Sequence, residues 1–149
     1  MSTNATTMVI GELRYTTIIQ DTGYVKVYHK VGGGENWTQL GQSIHGNETD
    51  DYFGSSADIT ADGRTIICGS PGDFWSEDRP GYVRVLKLLS DGDIGTNTWV
   101  QIGEDITGEA NGDWFGYSVS ISDDGKTIAV GAPSNDGMNG EVSGHVRIY

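Results

Sequence analysis

"DWFGYSVSISDDGKTIAVGAP", residues 113–133, is written almost twice in this chain, because "DYFGSSADITADGRTIICGSP" occupies residues 51–71. The two copies keep a fixed register. Phe53-Gly54 returns 62 residues later as Phe115-Gly116, and Asp62-Gly63 returns at the same spacing as Asp124-Gly125. Trp37 and Trp99, Gly41 and Gly103, Gly46 and Gly108, and Gly69 and Gly131 hold that spacing too. A second phrase occurs three times, as "GYVKVY" from Gly23, "GYVRVL" from Gly81 and "GHVRIY" from Gly144. Its spacings are 58 and 63, so a loop of variable length precedes it. "TMVIGEL" from Thr7 aligns with "TIICGSP" and "TIAVGAP", which sets Gly11 under Gly69 and Gly131. Self-similarity at a fixed period over nearly the whole chain marks a repeat architecture.

Each full repeat reads as four short strands. "FGYSVSIS" alternates, with Phe115, Tyr117, Val119 and Ile121 on one face and Gly116, Ser118 and Ser120 on the other. Asp124-Gly125 then supplies a two-residue hairpin turn, because Gly accepts positive φ without a Cβ penalty. "KTIAVGAP" follows as an apolar strand, then "GHVRIY", and in the earlier copies a Trp strand at Trp37–Gly41 and Trp99–Gly103. Helical periodicity is absent. Ten strands are expected in all, three, four and three. Four antiparallel strands with a Gly and aromatic signature per repeat predict β-propeller blades. The fold class is therefore all-β, with about two to two-and-a-half blades. The expected organisation is one repeat region over 1–149, with a partial blade at 7–46, a full blade at 51–108 and a partial blade at 113–149. The small residues of the FG strand should lie where neighbouring sheets crowd, and Trp37 and Trp99 at the wider outer end.

Composition narrows the function classes. The chain has 149 residues, 23 of them Gly, and a formal net charge of −12. Such charge repels nucleic-acid phosphates and anionic membrane surfaces, so neither is an expected partner. No run is long and apolar enough for a spanning helix, so no membrane insertion is expected. "MSTNATTMVIGEL" lacks a basic n-region and a long apolar h-region, so it does not read as a signal peptide. Cys68 is the single cysteine, and no intrachain disulfide framework exists. It aligns with Ile10 and Val130 and reads as a small core hydrophobe.

The order "FGYSVSI…DDG…IAVGAP…GHVRIY" from Phe115 to Tyr149, with its weaker copy at Phe53–Leu86, resembles the FG-GAP repeat. That repeat builds the propeller of integrin α-chains and occurs in many secreted and surface proteins. The resemblance implies a propeller used for binding and adhesion by protein–protein contact rather than for chemistry. It implies an extracellular or cell-surface setting as part of a longer precursor, although a lone unpaired Cys suits the cytoplasm equally. Family members often carry a calcium loop of the D-x-D-x-D-G kind, in which closely spaced carboxylates supply the oxygens. Here Thr60 and Ser122 stand where the first carboxylate belongs, and Arg64 or Lys126 follows the Gly. Calcium is therefore disfavoured at these turns, and no cofactor is expected. The acidic loops 90–95 and 135–141 are the remaining cation candidates. The blade count falls short of a closed ring. The expected partners are thus a protein, or additional blades from copies of the chain in a homo-oligomer or from a parent chain. The terminal strands are the expected contact edges.

No catalytic constellation emerges. His29, His45 and His145 have no metal spacing, Ser56 and Ser118 lie outside any G-x-S-x-G elbow, and "VGGGE" at 31–35 opens no helix. The chain is not expected to be an enzyme; a hydrolase reading would rest on a carboxylate such as Asp113. The alternative to protein contact is a lectin-like module, in which aromatic rings beside carboxylates stack on a sugar. Trp75 with Asp73 and Asp78, and Trp114 with Asp113, are the candidate glycan-binding sets. Sequons at Asn4, Asn36 and Asn47 suit an extracellular chain.

Overall fold

The hairpins written into the repeat are the frame of the molecule. The computed structural model describes residues 1–2, 6–12, 22–31, 34–72, 79–89, 97–136, 140 and 142–149. All regular structure among them is strand, in three sheets. The first sheet holds β1 (Thr7–Glu12), β2 (Tyr24–Lys30), β3 (Trp37–Gln39) and β4 (Ile44–His45). The second holds β5 (Ser56–Ile59), β6 (Thr65–Ser70), β7 (Tyr82–Leu89), β8 (Thr98–Gln101) and β9 (Ile106–Thr107). The third holds β10 (Ser118–Ile121), β11 (Ile128–Ala132) and β12 (His145–Ile148). Every pairing is antiparallel, and the register repeats: Ser56 faces Gly69 as Ser118 faces Gly131, while Val25, Val83 and Val146 face Gly11, Gly69 and Gly131.

Among the described residues, twelve strands stand where ten were expected. The extra two, β4 and β9, are continuations of the Trp strands. Gly41 and Gly103 sit at φ +78° and +69°, and the chain bulges there before pairing again with the same partner. Leu40 N–H still reaches Val27 C=O at 2.8 Å, and Ile102 N–H reaches Val85 C=O at 2.9 Å. His45 therefore lies in a strand opposite Tyr24.

Two local expectations change. The FG strand starts three residues later than its alternation suggested, since β10 opens at Ser118. Phe115-Gly116 is instead the centre of a four-residue turn closed by Tyr117 N–H to Trp114 C=O at 3.0 Å, as Ser55 N–H closes on Tyr52 C=O at 3.1 Å around Phe53-Gly54. Gly54 and Gly116 take φ +88° and +91°, the third-position conformation of a type II turn. Tyr117 consequently faces solvent, 51% exposed, while Phe115 and Ile121 are buried. The Asp-Gly hairpins are likewise four residues long rather than two. Thr60 N–H donates to Thr65 C=O at 2.9 Å and Ser122 N–H to Thr127 C=O at 2.8 Å, with four residues between, and the turns close through Gly63 N–H to Thr60 C=O and Gly125 N–H to Ser122 C=O, both at 2.9 Å.

The core lies between the sheets. Val25, Val27, Phe53, Ile59, Ile66, Cys68, Leu86, Leu88 and Trp99 form one cluster across the first and second. Ile67, Val83, Phe115, Ile121, Ile128 and Val130 form another across the second and third. Alternate residues of β6 thus serve opposite clusters, which is why "TIIC" reads as a continuous apolar run. Trp99 is buried as a bolt between the first two sheets, its indole Nε1–H donating to Leu40 C=O at 2.8 Å, while Trp37 is half-buried beneath the Lys30 ammonium. Burial pushes the Cys68 thiol up to about 12, so it behaves as a hydrophobe.

Candidate functional site

The FG turns are the parts that join one blade to the next. Phe53 N–H donates to Thr22 C=O and Phe115 N–H to Pro80 C=O, both at 3.2 Å and both onto the residue before a "GYV" Gly. Those glycines, Gly23 and Gly81, leave room for the Phe backbone: a Cβ there would lie 2.7 Å from Phe53 N or 3.0 Å from Phe115 N. Gly54 in turn sits under Tyr24 C=O and Val25 of the first sheet, and Gly116 under Tyr82 C=O and Val83 of the second. The carbonyls of Gly54 and Gly116 rest directly on Gly11 and Gly69, where any Cβ would collide. Ser56 Oγ donates to Gly116 C=O at 2.7 Å, and Asp58 Oδ2 accepts Ile121 N–H at 2.9 Å and Ser120 Oγ–H at 3.1 Å. Each FG turn is a plug, and the Gly and Val positions of the preceding blade are its socket.

A polar cluster lies beside the first junction. The buried Asp51 carboxylate accepts Asn47 N–H and Glu48 N–H at 2.9 Å, Tyr82 O–H at 2.9 Å and Arg79 Nη1–H at 2.6 Å. Arg79 also pairs with Glu48 at 2.8 Å. Arg84, buried, forks onto Asp105 at 2.7 and 2.8 Å, and its Nη2–H reaches Asn47 Oδ1 at 2.8 Å. Burial, reinforced by the Asp51 carboxylate, pushes the Tyr82 phenol up to about 12. Burial alone would raise Asp105, but the Arg84 guanidinium with Asn47 and Gln101 outweighs it and holds the carboxyl below its ordinary value. A cavity of about 280 Å³ opens over this cluster, lined by Glu48, Asp51, Arg79, Tyr82 and Thr107 among others. Its charges are already paired internally. No signal short of the register of Asp51, Arg79 and Tyr82 in space would have revealed it from sequence.

The predicted sugar-binding sets fall differently. Asp73, Trp75 and Asp78 lie outside the described residues. Asp113 is buried, 5% exposed, and its Oδ2 accepts Asn135 Nδ2–H at 2.7 Å and Ala110 N–H at 3.0 Å. It repeats the loop-tying role of Asp51. Trp114 takes a left-handed backbone, φ +57°, as Tyr52 does at +51°, and stacks on Tyr117 with ring centroids 6.4 Å apart. The exposed Tyr117 thus lies against a half-buried Trp114 whose indole nitrogen is enclosed, while the Asp113 carboxylate points inward.

The Asp-Gly turns fill their own oxygens. Thr60 Oγ–H at 2.6 Å and Arg64 N–H at 2.9 Å both donate to Asp62 Oδ1; Ser122 Oγ–H at 2.8 Å and Lys126 N–H at 3.2 Å both donate to Asp124 Oδ1. The Thr60 hydroxyl first, then the Arg64 backbone amide and charge, hold the Asp62 carboxyl low; Ser122 and the Lys126 amide do so for Asp124. Among the described residues no group of three His, Cys, Asp or Glu is placed to hold a metal ion. Loop 90–95 lies outside the described residues, as do 137–139 and 141 of the second acidic loop, whose Asp136 accepts Val142 N–H at 2.8 Å. The Asn47 sequon amide is occupied, since its Nδ2–H donates to Asp105 at 3.1 Å.

No curated protein matches the chain. Residues 107–149 match the FG-GAP repeat family, a span that begins at the last residue of β9 and takes in the loop after it and the whole third sheet. The third sheet, with its turn at Phe115-Gly116 seated in the sheet before it, is thus similar to the FG-GAP repeat.

Proposed function

We propose that the chain is a non-catalytic scaffold that binds other proteins at a cell surface or outside the cell. The observation that carries this reading is the likeness of residues 107–149 to the FG-GAP repeat, joined to the exposed apolar side chains of β12. Val146 and Ile148, on one face of β12, are 64 and 72% exposed, whereas Val25, Val27 and Val83, at matching places in the first two sheets, are fully buried and Val85 is half-buried. Contiguous exposed apolar side chains are a protein-interaction signature. The acidic groups support the same reading, because Asp51, Asp58, Asp105 and Asp113 serve as struts between loops and blades. The Asp-Gly turns support a reading without calcium at those turns, since the Asp62 and Asp124 carboxylates accept the hydroxyls of Thr60 and Ser122.

A sugar-binding reading keeps one specific support, the exposed Tyr117 stacked on the half-buried Trp114. The test sets the folded full chain against an array of extracellular proteins and an array of glycans. Saturable binding to a protein, weakened about tenfold or more by Val146→Asp, is the expected result. Glycan binding abolished by Trp114→Ala with the fold intact would move the function to sugars.

A further inference from the structure

Asn-x-Thr signals for N-linked sugar stand at Asn4, Asn36 and Asn47, and the structure separates the last two. Asn47 is held at both ends of its amide. Its Oδ1 accepts Arg84 Nη2–H at 2.8 Å, and its Nδ2–H donates to Asp105 Oδ2 at 3.1 Å. Arg84 is buried and bonds the same Asp105 carboxylate, so a sugar on the Asn47 nitrogen would have to part the clamp that ties the end of the first sheet to the second. Asn36 is exposed, and so is Thr38, the hydroxyl-bearing residue of its signal. Among the described residues no hydrogen bond engages the Asn36 side chain. Its exposure does not depend on a missing neighbour. The second sheet packs on the first, with Trp99 bonded to Leu40 C=O, and leaves Asn36 open. Thr98 stands at the Asn36 position of the second sheet, which has a sheet on either side, and it is exposed as well. Asn36 immediately precedes β3, which pairs with β2 and forms one edge of its sheet.

We propose that the folded chain carries an N-linked glycan at Asn36 and none at Asn47. The site rests on the reading that the chain works outside the cell, the setting in which this signal is used. The step joins Asn36 Nδ2 to the anomeric carbon of an oligosaccharide carried on a lipid diphosphate. The carbon–nitrogen bond forms as the carbon–oxygen bond to the diphosphate breaks. The lipid diphosphate leaves with the electron pair, and one Nδ2 proton passes to the transferase. The Thr38 hydroxyl completes the signal that the transferase reads. A chain that took sugar at Asn47 instead would enter folding without the Asn47 bonds to Arg84 and Asp105 and would be lost from the folded population. The Asn36 glycan stands beside a strand edge, whose unpaired backbone groups are a template for pairing with another chain. Sugar there shields that edge while the FG turns stay seated between the sheets.

The test directs the full chain through a eukaryotic secretory pathway and recovers the secreted, folded protein. N-glycans are then removed enzymatically in heavy-oxygen water, which turns each glycosylated Asn into a labelled Asp that peptide mass spectrometry locates. Label at Asn36 and none at Asn47 is the expected result; Asn4 lies outside the described residues, and its peptide is read apart. Thr38→Ala, at an exposed position, should abolish the Asn36 label and leave the urea midpoint of the deglycosylated chain unchanged. Thr49→Ala removes the signal at Asn47 but keeps the Asn47 amide, since Arg79 bonds Thr49 only through its carbonyl. That variant should be secreted at least as well as the parent, and it supplies folded chain if the parent is retained. Folded chain without label at Asn36 in both forms overturns the proposal. So does secreted chain labelled at Asn47 with the urea midpoint of Thr49→Ala. Fractionation of the source cells reads the extracellular setting separately, and a cytoplasmic chain would overturn both. An unlabelled Asn36 alongside a protein found on the array would leave the scaffold reading standing and refute only this site.

Discussion

Replacing Gly116 by Ala imposes two costs that the structure separates. Gly116 holds φ +91°, where an L-residue is disfavoured by about 1–2 kcal/mol. The added Cβ would also lie 2.6 Å from Tyr82 C=O and 3.1 Å from Ser70 N. These are backbone atoms that cannot rotate aside, so the third blade must shift off the second. Forced displacement in a packed junction costs about 1–3 kcal/mol. Together the loss is about 2–5 kcal/mol, a large part of an ordinary domain's stability. Gly103→Ala isolates the first cost, because Gly103 has φ +69° and nothing within 4 Å of an added Cβ; it should lose only about 1–2 kcal/mol. Gly69→Ala isolates the second, since its Cβ meets the Gly116 carbonyl without a positive φ. Urea unfolding followed by tryptophan fluorescence reads all three, with the slope m held constant as a control. If Gly116→Ala proves no more harmful than Gly103→Ala, the plug-and-socket account of the FG turn is wrong.

Asp51→Ala should cost about 2–3 kcal/mol, because it leaves Tyr82 and Arg79 without their buried acceptor, while Asp124→Ala on the exposed turn should cost under about 0.5 kcal/mol; urea midpoints compare them. Asp105 is held below its ordinary value by Arg84 after burial is overcome, so its stabilisation is present above the unfolded carboxyl value of about 4 and is lost as pH falls through the lower folded one. Stability should therefore fall on acidification below about pH 4, and Asp105→Asn should flatten that part of the curve by roughly one proton. Cys68, buried and shifted up to about 12, should react with a thiol reagent only as fast as the fold opens, so stabilising the fold slows labelling. Adding calcium or a chelator should leave the urea midpoint unchanged, because Asp62 and Asp124 already bond to Thr60 and Ser122; a calcium-dependent rise would assign a cation to the acidic loops.

The blade pattern was legible because it rests on residues that act locally. Period-two alternation, the Asp-Gly turns and the recurrent "GYV" phrase each demand a strand or a turn wherever they fall. The role of the FG dipeptide was not legible, although its crowding was. Alternation places Phe115 inward correctly but cannot distinguish a strand Gly from a turn Gly at positive φ, and only the turn explains why Tyr117 points out. The bulges at Gly41 and Gly103 were hidden for the same reason, since a strand that leaves and rejoins one partner reads as a strand followed by a loop. Asp113 illustrates the limit for sites. Beside Trp114 it resembles a surface pair, yet its carboxylate ties Asn135 and Ala110 inside the blade, a long-range arrangement that no local pattern encodes.

Methyl-labelled valines in the presence of a soluble paramagnetic reagent test the central claim most directly. The account predicts strong broadening of Val146 and little of Val25 and Val83, because the same socket position is open in the third blade and plugged in the first two. Equal protection of all three would show the third socket to be covered, and equal broadening would show that the FG turns do not seat.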